Sequence, residues 1–313
     1  MSETLRTEME RLIERESLPT SFYSLAACHY LPLSDAIAAA RQRADRPWMV
    51  GINGAQGTGK STLGQFLELF LGHKHGLNCV SISLDDFYYT REEREQLATT
   101  THPLLITRGV PGTHDLALGI SVCQQLLAAG EDSSTLIPRF DKANDDRAPA
   151  IRWRRHVGKT DVLLLEGWCV GNRPQPPDTI GEPMNTLERD EDPDGNWRRY
   201  VNIHLQYYQK WFRMLDQLIM LKAPSMGAIY RWRNEQEQKL AARHEGDASR
   251  IMNREQIARF IQHYERLTSF ALKEMPDRAD CVFHLDEQHS ITRVSGPLAD
   301  TMGFTEGGDS DGH

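Results

Sequence analysis

The sequence predicts an α/β protein in which helices cover both faces of a mainly parallel sheet of five strands. Short apolar runs alternate with longer amphipathic stretches from Trp48 onward, and most of these runs are apolar on both faces, as in strands buried between two helical layers. A chain of 313 residues with 39% hydrophobic content is large enough for such a three-layer α/β/α core. The predicted strands are 48–52, 79–84, 162–167, 218–222 and 281–285.

Composition narrows the class of partner. The chain carries 36 Lys and Arg residues against 44 Asp and Glu residues, a formal charge of −8, which argues against binding mainly through nucleic-acid phosphates. Its five cysteines are scattered without C-x-x-C or zinc spacing, as in a reducing compartment. No apolar run reaches the roughly 20 residues of a membrane helix, and the N-terminus is charged, unlike a signal peptide. We therefore expect a cytoplasmic protein without a membrane or nucleic-acid partner, and the oligomeric state stays open.

The two ends of the chain differ from its centre. Residues 1–46 combine charge with helical apolar spacing and contain Pro19 and Pro32, which predicts an N-terminal extension of one or two helices. Residues 47–300 form the main predicted domain. The acidic, glycine-rich residues 301–313 predict a disordered tail.

Two segments interrupt the alternation of strands and helices. Residues 86–160 are rich in charge, Pro and Gly, and predict one helix around 116–127 and one short extended piece at 135–138. Residues 170–195 contain too many prolines for regular structure and predict a loop. Both segments follow predicted strands, where sheets of this type bind ligands, so we expect 86–160 to bind substrate. We assign no role to 170–195 or to the N-terminal extension.

A phosphate-binding loop follows the first predicted strand. The stretch GAQGTGKS from Gly54 to Ser61 fits G-x-x-x-x-G-K-[ST], and a helical apolar stripe follows it. Glycines let backbone N–H groups converge on phosphate oxygens, Lys60 can reach the β- and γ-phosphates, and the Ser61 hydroxyl can bind Mg²⁺. The bland alternative is a glycine-rich turn that binds nothing. We expect ATP and Mg²⁺ as cofactors, with the nucleotide held by Gly54, Ala55, Gln56, Gly57, Thr58, Gly59, Lys60, Ser61 and Thr62.

Carboxylates end the second and third predicted strands. Asp85 and Glu166 should lie at the same edge of a parallel sheet as the phosphate loop. Asp85 can accept the proton of an attacking hydroxyl or hold a metal, and Glu166 can contact nucleotide-bound Mg²⁺ directly or through water. Alternatively, either residue caps a turn, a role that suits the neighbouring Asp86.

Six motifs together resemble the D-glycerate 3-kinase family, within the wider group of P-loop kinases that includes uridine kinase, pantothenate kinase and phosphoribulokinase. The resemblance spans about residues 48–285. The phosphate loop is generic, the second and fifth motifs indicate the wider group, and the third and fourth point to glycerate kinase. In chain order the motifs read GINGAQGTGKST, SLDDFYYT, RGVPGTHD, IPRFDKANDDR, LLLEGW and YRWRNEQEQ.

The resemblance implies a P-loop NTPase fold and transfer of the ATP γ-phosphoryl group to a hydroxyl of D-glycerate, giving 3-phosphoglycerate. Asp85 matches the catalytic base, and Glu166 matches the carboxylate associated with Mg²⁺. The resemblance also places a lid over 224–250, whose Arg231 and Arg233 would stabilise the transferring phosphoryl group. A substrate carboxylate needs cationic partners. The predicted substrate-binding residues are Arg108, His114, Asp115, Arg139, Asp141 and Lys142.

Other functions stay open at this point. Another small acceptor, such as a nucleoside, pantothenate or a sugar phosphate, would suit the same kinase. A nucleic-acid-linked ATPase would also use the phosphate loop, and the basic clusters 152–156 and 197–200 could serve it, although such clusters are more often solvated faces. The adenine pocket is not resolved by any motif, and only residues 287–289 suggest a position near it.

Overall fold

The computed structural model describes residues 2–243 and 252–304. Part of the predicted lid, residues 244–250, and most of the predicted tail, residues 305–313, lie outside the described residues. Within the described part, no helix is long and apolar enough to cross a membrane.

A six-stranded sheet forms the centre of the molecule, in the order β10-β9-β8-β1-β7-β2. Its pairs are parallel except for β9 with β10. Two small antiparallel pairs, β3 with β6 and β4 with β5, lie outside it. The strands are β1 (Trp48–Gly54), β2 (Cys79–Ser83), β3 (Ser134–Ile137), β4 (Phe140–Asp141), β5 (Asp146–Arg147), β6 (Arg154–Val157), β7 (Val162–Gly167), β8 (Gln217–Lys222), β9 (Cys281–Leu285) and β10 (Ile291–Ser295).

The predicted fold class is confirmed, and all five predicted strands are present in the sheet. The sixth strand, β10, was not predicted. It is an edge strand whose Thr292 and Arg293 are exposed, so its sequence contains no apolar run.

Helices cover both faces of the sheet. They are α1 (Glu3–Arg15), α2 (Phe22–Leu25), α3 (Leu31–Ala44), α4 (Lys60–His75), α5 (Arg91–Thr100), α6 (Leu116–Leu127), α7 (Thr186–Glu191), α8 (Asn196–Phe212), α9 (Met226–Arg243), α10 (Arg254–Glu274) and α11 (Pro297–Thr301). Val50 and Ile52 of β1 pack into the core that contains α1, α3 and α4, whereas Met49 packs into the core that contains α6, α8 and α10. Successive residues of β1 thus face opposite helical layers, and because both layers are apolar, β1 is a continuous apolar run in the sequence.

The N-terminal extension is more extensive than predicted. A π-helical turn, Ala26–Tyr30, joins α2 to α3 without a break, and Pro32, which has no backbone N–H to donate to this turn, lies just after it as the second residue of α3. Met9 of α1 and Leu33 of α3 are completely buried in the same core as α4. The extension is therefore part of one helical layer of the fold.

Three other predictions about irregular segments need correction. The segment 86–160 contains α5 in addition to the predicted α6, because Thr90 and Glu93 form a capping box at the start of a helix with little apolar character. The proline-rich segment 170–195 contains the short helix α7. The predicted disordered tail begins too early, because residues 301–304 are still ordered: Phe304 stacks on His29, with ring centroids 5.3 Å apart.

The strand register brings three functional segments to one edge of the sheet. Glu166 of β7 lies beside Ile52 of β1 on one side and Ser83 of β2 on the other. The phosphate loop begins where β1 ends at Gly54, and a 3₁₀ turn that contains Asp85 begins directly after Ser83. The parallel topology thus places all three at the carboxyl ends of neighbouring strands.

Candidate active site

The phosphate loop joins β1 to α4 as predicted. Gly57 and Gly59 have φ angles of +84° and +92°, which side chains other than glycine rarely adopt. A Cβ atom on Gly57 would also lie 2.8 Å from the Cβ atom of Trp232 in α9. The buried Thr58 hydroxyl donates to the Ala55 carbonyl at 2.9 Å and closes the loop internally. These contacts hold the backbone in a curved conformation at the N-terminus of a helix, a site suited to anions.

Lys60 is the first residue of α4, and its ammonium group donates to the Ala55 carbonyl at 3.1 Å. Burial lowers the pKa of Lys60, while the nearby carboxylates of Glu166 and Asp85 oppose the shift. The lysine thus stays within the curve of the loop, where it can exchange a backbone oxygen for a phosphate oxygen.

Asp85 lies beside the loop with both carboxylate oxygens engaged. Its Oδ1 accepts from the Tyr88 hydroxyl at 2.7 Å, and its Oδ2 accepts from Lys142 Nζ at 2.6 Å. Burial alone would raise the pKa of Asp85, but the charge and hydrogen bond of Lys142, the Tyr88 hydroxyl and Lys60 outweigh it and lower the pKa to about 2. The Lys142 side chain is 60% exposed, so water screens this ion pair. Asp85 is therefore an ionised hydrogen-bond acceptor at neutral pH.

Glu166 and Ser61 meet at the other side of the loop. The Ser61 hydroxyl donates to Glu166 Oε1 at 3.2 Å, and the Glu166 side chain is buried. This hydroxyl and this buried carboxylate are two neighbouring oxygen ligands next to the phosphate loop.

Asp86 does not cap its own turn, which corrects the alternative considered for it. Its Oδ1 accepts from the Phe140 backbone N–H at 3.1 Å and so ties β4 to the turn after β2. The cap of that turn is Ser83, whose hydroxyl accepts from the Asp85 N–H at 3.3 Å. Burial raises the pKa of Asp86 to about 6, with the negative charge of Asp85 adding to the effect.

Asp86→Asn should stabilise the protein at pH 7.5. An acid whose pKa is raised by folding binds its proton more tightly in the folded state, so its contribution to stability falls as pH rises from about 4 to about 6. The amide oxygen can still accept from Phe140 N–H, so we expect a gain of about 1–3 kcal/mol at pH 7.5 and almost none at pH 4. Thermal melts of both proteins across this pH range measure the difference, and an equal shift at both pH values would contradict it.

A cavity of about 330 Å³ opens beside the phosphate loop. Four cationic side chains line it together with the two strand-end carboxylates, so the site combines anion binding with hydrogen-bond acceptors. Its lining residues are Gln56, Gly57, Gly59, Lys60, Ser61, Thr62, Asp85, Tyr88, Arg108, Lys142, Glu166, Trp168, Arg233, Gln236, Phe260 and Tyr264.

Two of the six predicted substrate-binding residues line this cavity. Lys142 reaches it through its ion pair with Asp85. Arg108 forms an ion pair with Asp145, and its guanidinium lies 5.4 Å from the centroid of the Phe140 ring. Both cations therefore approach the position of Asp85 from the predicted insertion 86–160.

His114 and Asp115 do not line the cavity. His114 is buried beneath Tyr88, with ring centroids 4.5 Å apart, and its Nδ1 lies 2.6 Å from the Tyr208 hydroxyl. Burial lowers the pKa of His114 to about 3, so the ring is neutral. Asp115 caps α6 by accepting from the Leu118 N–H at 3.0 Å. The two residues support the cavity wall and the helix behind it.

Arg139 and Asp141 are also placed elsewhere. Arg139 lines a separate cavity together with Arg152 and Arg154. Asp141 holds the turn between β4 and β5, since it accepts from the side chain and backbone N–H of Asn144 and from Ala143. The side-chain amide of Asn144 lowers the pKa of Asp141. The sequence alone does not show whether a charged side chain in a loop faces a ligand or stabilises its own turn.

The two predicted lid arginines lie on different sides of α9. Arg233 lines the cavity, pairs with Glu237 and lies 5.4 Å from the Phe260 ring centroid. Its Nε is buried and has no hydrogen-bond partner among the described residues. Arg231 is outside the cavity lining and pairs with Glu287 at 2.7 Å.

Several cavity residues were not singled out from the sequence. Tyr88 and Trp168 lie within the quoted motifs, but an aromatic residue after a strand has an ordinary role in a core. Tyr264 comes from α10, and its hydroxyl donates to the Arg108 carbonyl at 2.9 Å. Gln236 and Phe260 also reach the cavity from the chain beyond β8. Gln236 lies within the sixth quoted motif, whereas no quoted motif contains Phe260 or Tyr264, because long-range packing brings α10 to the site.

The phosphate loop between β1 and α4, with carboxylates at the ends of the two strands β7 and β2, defines the site of a P-loop kinase. No protein-family model matches the sequence. An uncharacterised kinase from Schizosaccharomyces pombe is 35% identical over 227 residues, which cover 70% of this chain and 79% of that protein. The chloroplastic D-glycerate 3-kinase of Arabidopsis thaliana is 30% identical over 226 residues, or 70% of this chain and 46% of that protein.

A solved structure shares the fold. D-glycerate 3-kinase from Cryptococcus neoformans superposes with a TM-score of 0.72 at 24% identity, covering 85% of this chain and 97% of that one. This chain belongs to the family of P-loop kinases that includes D-glycerate 3-kinase. It is an ATP-dependent phosphotransferase with an alcohol group as acceptor.

Proposed function

We propose that this kinase transfers the γ-phosphoryl group of ATP to a hydroxyl of D-glycerate and gives 3-phosphoglycerate. The observation that carries the proposal is that Asp85, residues of the phosphate loop and the cations Arg108 and Lys142 line one cavity. To bind a small hydroxy acid, the site needs a cation that pairs with the acid's carboxylate and a hydrogen-bond acceptor for its reacting hydroxyl. The names of two relatives, both D-glycerate 3-kinases, support the same substrate.

The phosphate loop and Lys60 would hold the triphosphate. Backbone N–H groups from Gly57 onward and the N-terminus of α4 favour anionic oxygens, and the lysine adds a full charge near the γ-phosphate. The hydroxyl of Ser61 and the carboxylates of Glu166 and Asp85 are the hard oxygen ligands that suit Mg²⁺, directly or through water. When bound, Mg²⁺ supplies positive charge that neutralises the phosphate oxygens.

Asp85 would orient the acceptor hydroxyl. A carboxylate with a pKa of about 2 is a weak base, but phosphoryl transfer proceeds through a loose transition state in which the hydroxyl proton leaves late. Positioning the hydroxyl in line with the γ-phosphate is then the larger part of its work. The acceptor hydroxyl would take the place of one hydrogen bond that Asp85 now receives from Tyr88 or Lys142.

Arg108 and Arg233 would bind the acceptor carboxylate. Arg108 is engaged by the half-buried Asp145, which also pairs with Arg94, so a ligand carboxylate can replace Asp145 at Arg108 and leave Asp145 with a cationic partner. Arg233 offers a buried Nε that has no partner in the described structure, and a buried donor without an acceptor favours ligand binding. Their two guanidinium groups would give the substrate a bidentate contact that lysine does not provide.

Arg233→Ala should raise the KM for the acid acceptor by roughly tenfold or more, because it removes a charged hydrogen bond worth about 1.5–3 kcal/mol. Arg231→Ala is the matched control on the same helix, and it should change the KM by less than about twofold, since Arg231 pairs with Glu287 outside the cavity. Steady-state kinetics with varied acceptor measures both. Equal effects of the two substitutions would contradict this assignment.

An ADP-release screen tests the substrate. The purified protein is assayed with ATP and Mg²⁺ plus D-glycerate, L-glycerate, uridine, pantothenate or ribulose 5-phosphate. We expect turnover with D-glycerate well above the ATP-only blank. No turnover with D-glycerate, or a rate stimulated by DNA or RNA instead, would overturn the proposal.

A further inference from the structure

A second cavity, of about 590 Å³, lies next to the cavity of the proposed phosphoryl transfer. Gly57, Gly59, Thr62 and Gln236 line both cavities, so the phosphate loop and α9 stand between them. A nucleotide whose phosphates lie on the loop can therefore extend in two directions from it, toward Asp85 in the first cavity or into the second cavity. The transferred phosphate must point toward Asp85, which leaves the second cavity for the remainder of the nucleotide.

Seven of the 19 residues that line the second cavity belong to the N-terminal extension. We call residues 18–30 the N-terminal wall. From this wall the cavity is lined by Leu18, Pro19, Ser21, Phe22, Leu25, His29 and Tyr30. The opposite lining comes from the end of β9, the turn before β10 and α9.

Aromatic contacts fix the N-terminal wall to the kinase core. Phe22 stacks on Phe66 of α4 with ring centroids 5.4 Å apart and planes 29° from parallel. Tyr30 packs edge-on against Phe283 of β9 at 5.9 Å. These are contacts to the helix that follows the phosphate loop and to a strand of the central sheet, so the wall has a defined position relative to the loop.

The opposite side of the cavity is tied directly to the phosphate loop. His289 Nε2 lies 2.9 Å from the Gly57 carbonyl oxygen, to which its N–H donates. The His289 ring stacks on Trp232 of α9, with centroids 4.1 Å apart, and the Trp232 indole donates to the Glu287 carbonyl at 2.9 Å. The region 287–289 that the sequence suggested near the adenine pocket thus includes a residue that contacts the loop.

The chemistry of the lining suits a nucleoside. Leu25, Leu285 and Ile291 offer apolar surface for the faces of a heterocyclic base, while Gln288 and Ser290 offer hydrogen-bonding groups for its edge or for a ribose. His29 Nδ1 is buried and has no hydrogen-bond partner among the described residues. A buried ring nitrogen without a partner is a further candidate to contact a polar ligand.

We propose that the second cavity binds the adenosine part of ATP and that the N-terminal wall forms one side of this site. The N-terminal extension is then a nucleotide-binding element of the kinase in addition to its packing role. The inference rests on ATP as the phosphoryl donor and does not depend on the identity of the acceptor. Its test is therefore a binding measurement made without any acceptor.

The test compares two half-buried leucines of the N-terminal extension, one in the N-terminal wall and one directly after it. Leu25 lines the cavity, whereas Leu31 packs against the same core and is not in the cavity lining. Isothermal titration with ATP and with inorganic tripolyphosphate, each with Mg²⁺, separates base binding from phosphate binding. We expect Leu25→Ala to raise the Kd for ATP roughly five- to tenfold and to leave tripolyphosphate binding within about twofold. Leu31→Ala should leave both unchanged.

A second variant covers a failure of Leu25→Ala to fold. Ser21 is exposed at the rim of the cavity, and its side chain makes no capping hydrogen bond, so Ser21→Trp should fold and fill part of the space. We expect weaker ATP binding and normal tripolyphosphate binding here as well. Equal weakening of both ligands would assign the N-terminal wall a purely structural role, and unchanged ATP affinity in both variants would place the nucleoside elsewhere. Either result overturns the proposal.

Discussion

Lys60→Ala should lower kcat for phosphoryl transfer by roughly 10²- to 10³-fold at saturating ATP. The ammonium group lies within the phosphate loop, where its one hydrogen bond to a described residue is to the Ala55 carbonyl, and it is the one full positive charge that the loop itself carries. Its removal leaves the phosphate loop with only backbone dipoles to stabilise the charge that develops on the phosphate oxygens in the transition state. Single-turnover assays with excess enzyme measure the transfer step directly.

Stability provides the control for this substitution. Burial lowers the pKa of Lys60, which means that desolvation disfavours its charged form in the folded protein. Lys60→Met keeps the aliphatic length without the charge and should leave the melting temperature equal or higher. A variant with normal melting and near-normal turnover would show that this lysine does not act on the transferred phosphate.

Asp85→Asn should keep ATP binding and lose transfer by about 10²- to 10⁴-fold. The amide oxygen can still accept one hydrogen bond, but the NH₂ group faces Lys142 or Tyr88 as a second donor, and the negative charge is gone. The acceptor hydroxyl then has no anionic partner to orient it. Parallel measurements of ATP affinity and kcat distinguish loss of binding from loss of chemistry.

The neighbouring residue supplies a matched control. Asp86→Asn makes the same chemical change one position away, on a carboxylate that bonds the Phe140 N–H instead of lining the first cavity. It should retain most of the turnover. Comparable losses in the two variants would mean that the effect is structural, and near-normal turnover of Asp85→Asn would remove Asp85 as the orienting base.

The parts of the site that sequence predicts are those set by local backbone and by strand topology. The phosphate loop depends on Gly57 and Gly59, two glycines at positive φ that are two positions apart, and the sequence shows this spacing directly. Because parallel strands end at a common edge, the sequence also predicts that Asp85 and Glu166 lie close together, and the register of β2, β7 and β1 confirms that edge.

The acceptor side was predicted only in part. Arg108 and Lys142 reach the cavity, while Asp115 serves a helix cap and Asp141 serves a turn. All four are charged residues of the irregular segment 86–160, and the sequence alone does not distinguish the two that face the cavity from the two that cap a helix or a turn. Tyr264 of α10 was missed for the same reason, since it reaches the site through a contact with the Arg108 carbonyl 156 residues away in sequence.

The N-terminal extension shows a different limit of sequence reasoning. Its helices were predicted from periodicity, but periodicity states only that one face is buried, not against which element. The structure places Phe22 and Tyr30 on α4 and β9, beside the phosphate loop. The proposed role in nucleotide binding follows from that neighbourhood.

Phosphorus NMR of the reaction products is the most direct test of the proposed activity. Protein, ATP, Mg²⁺ and D-glycerate are incubated, and the phosphate resonances and their couplings to carbon-bound protons are compared with authentic 2- and 3-phosphoglycerate. We expect 3-phosphoglycerate to form in step with ADP. ADP with inorganic phosphate as the only products, or a phosphate on the 2-hydroxyl, would contradict the proposed reaction.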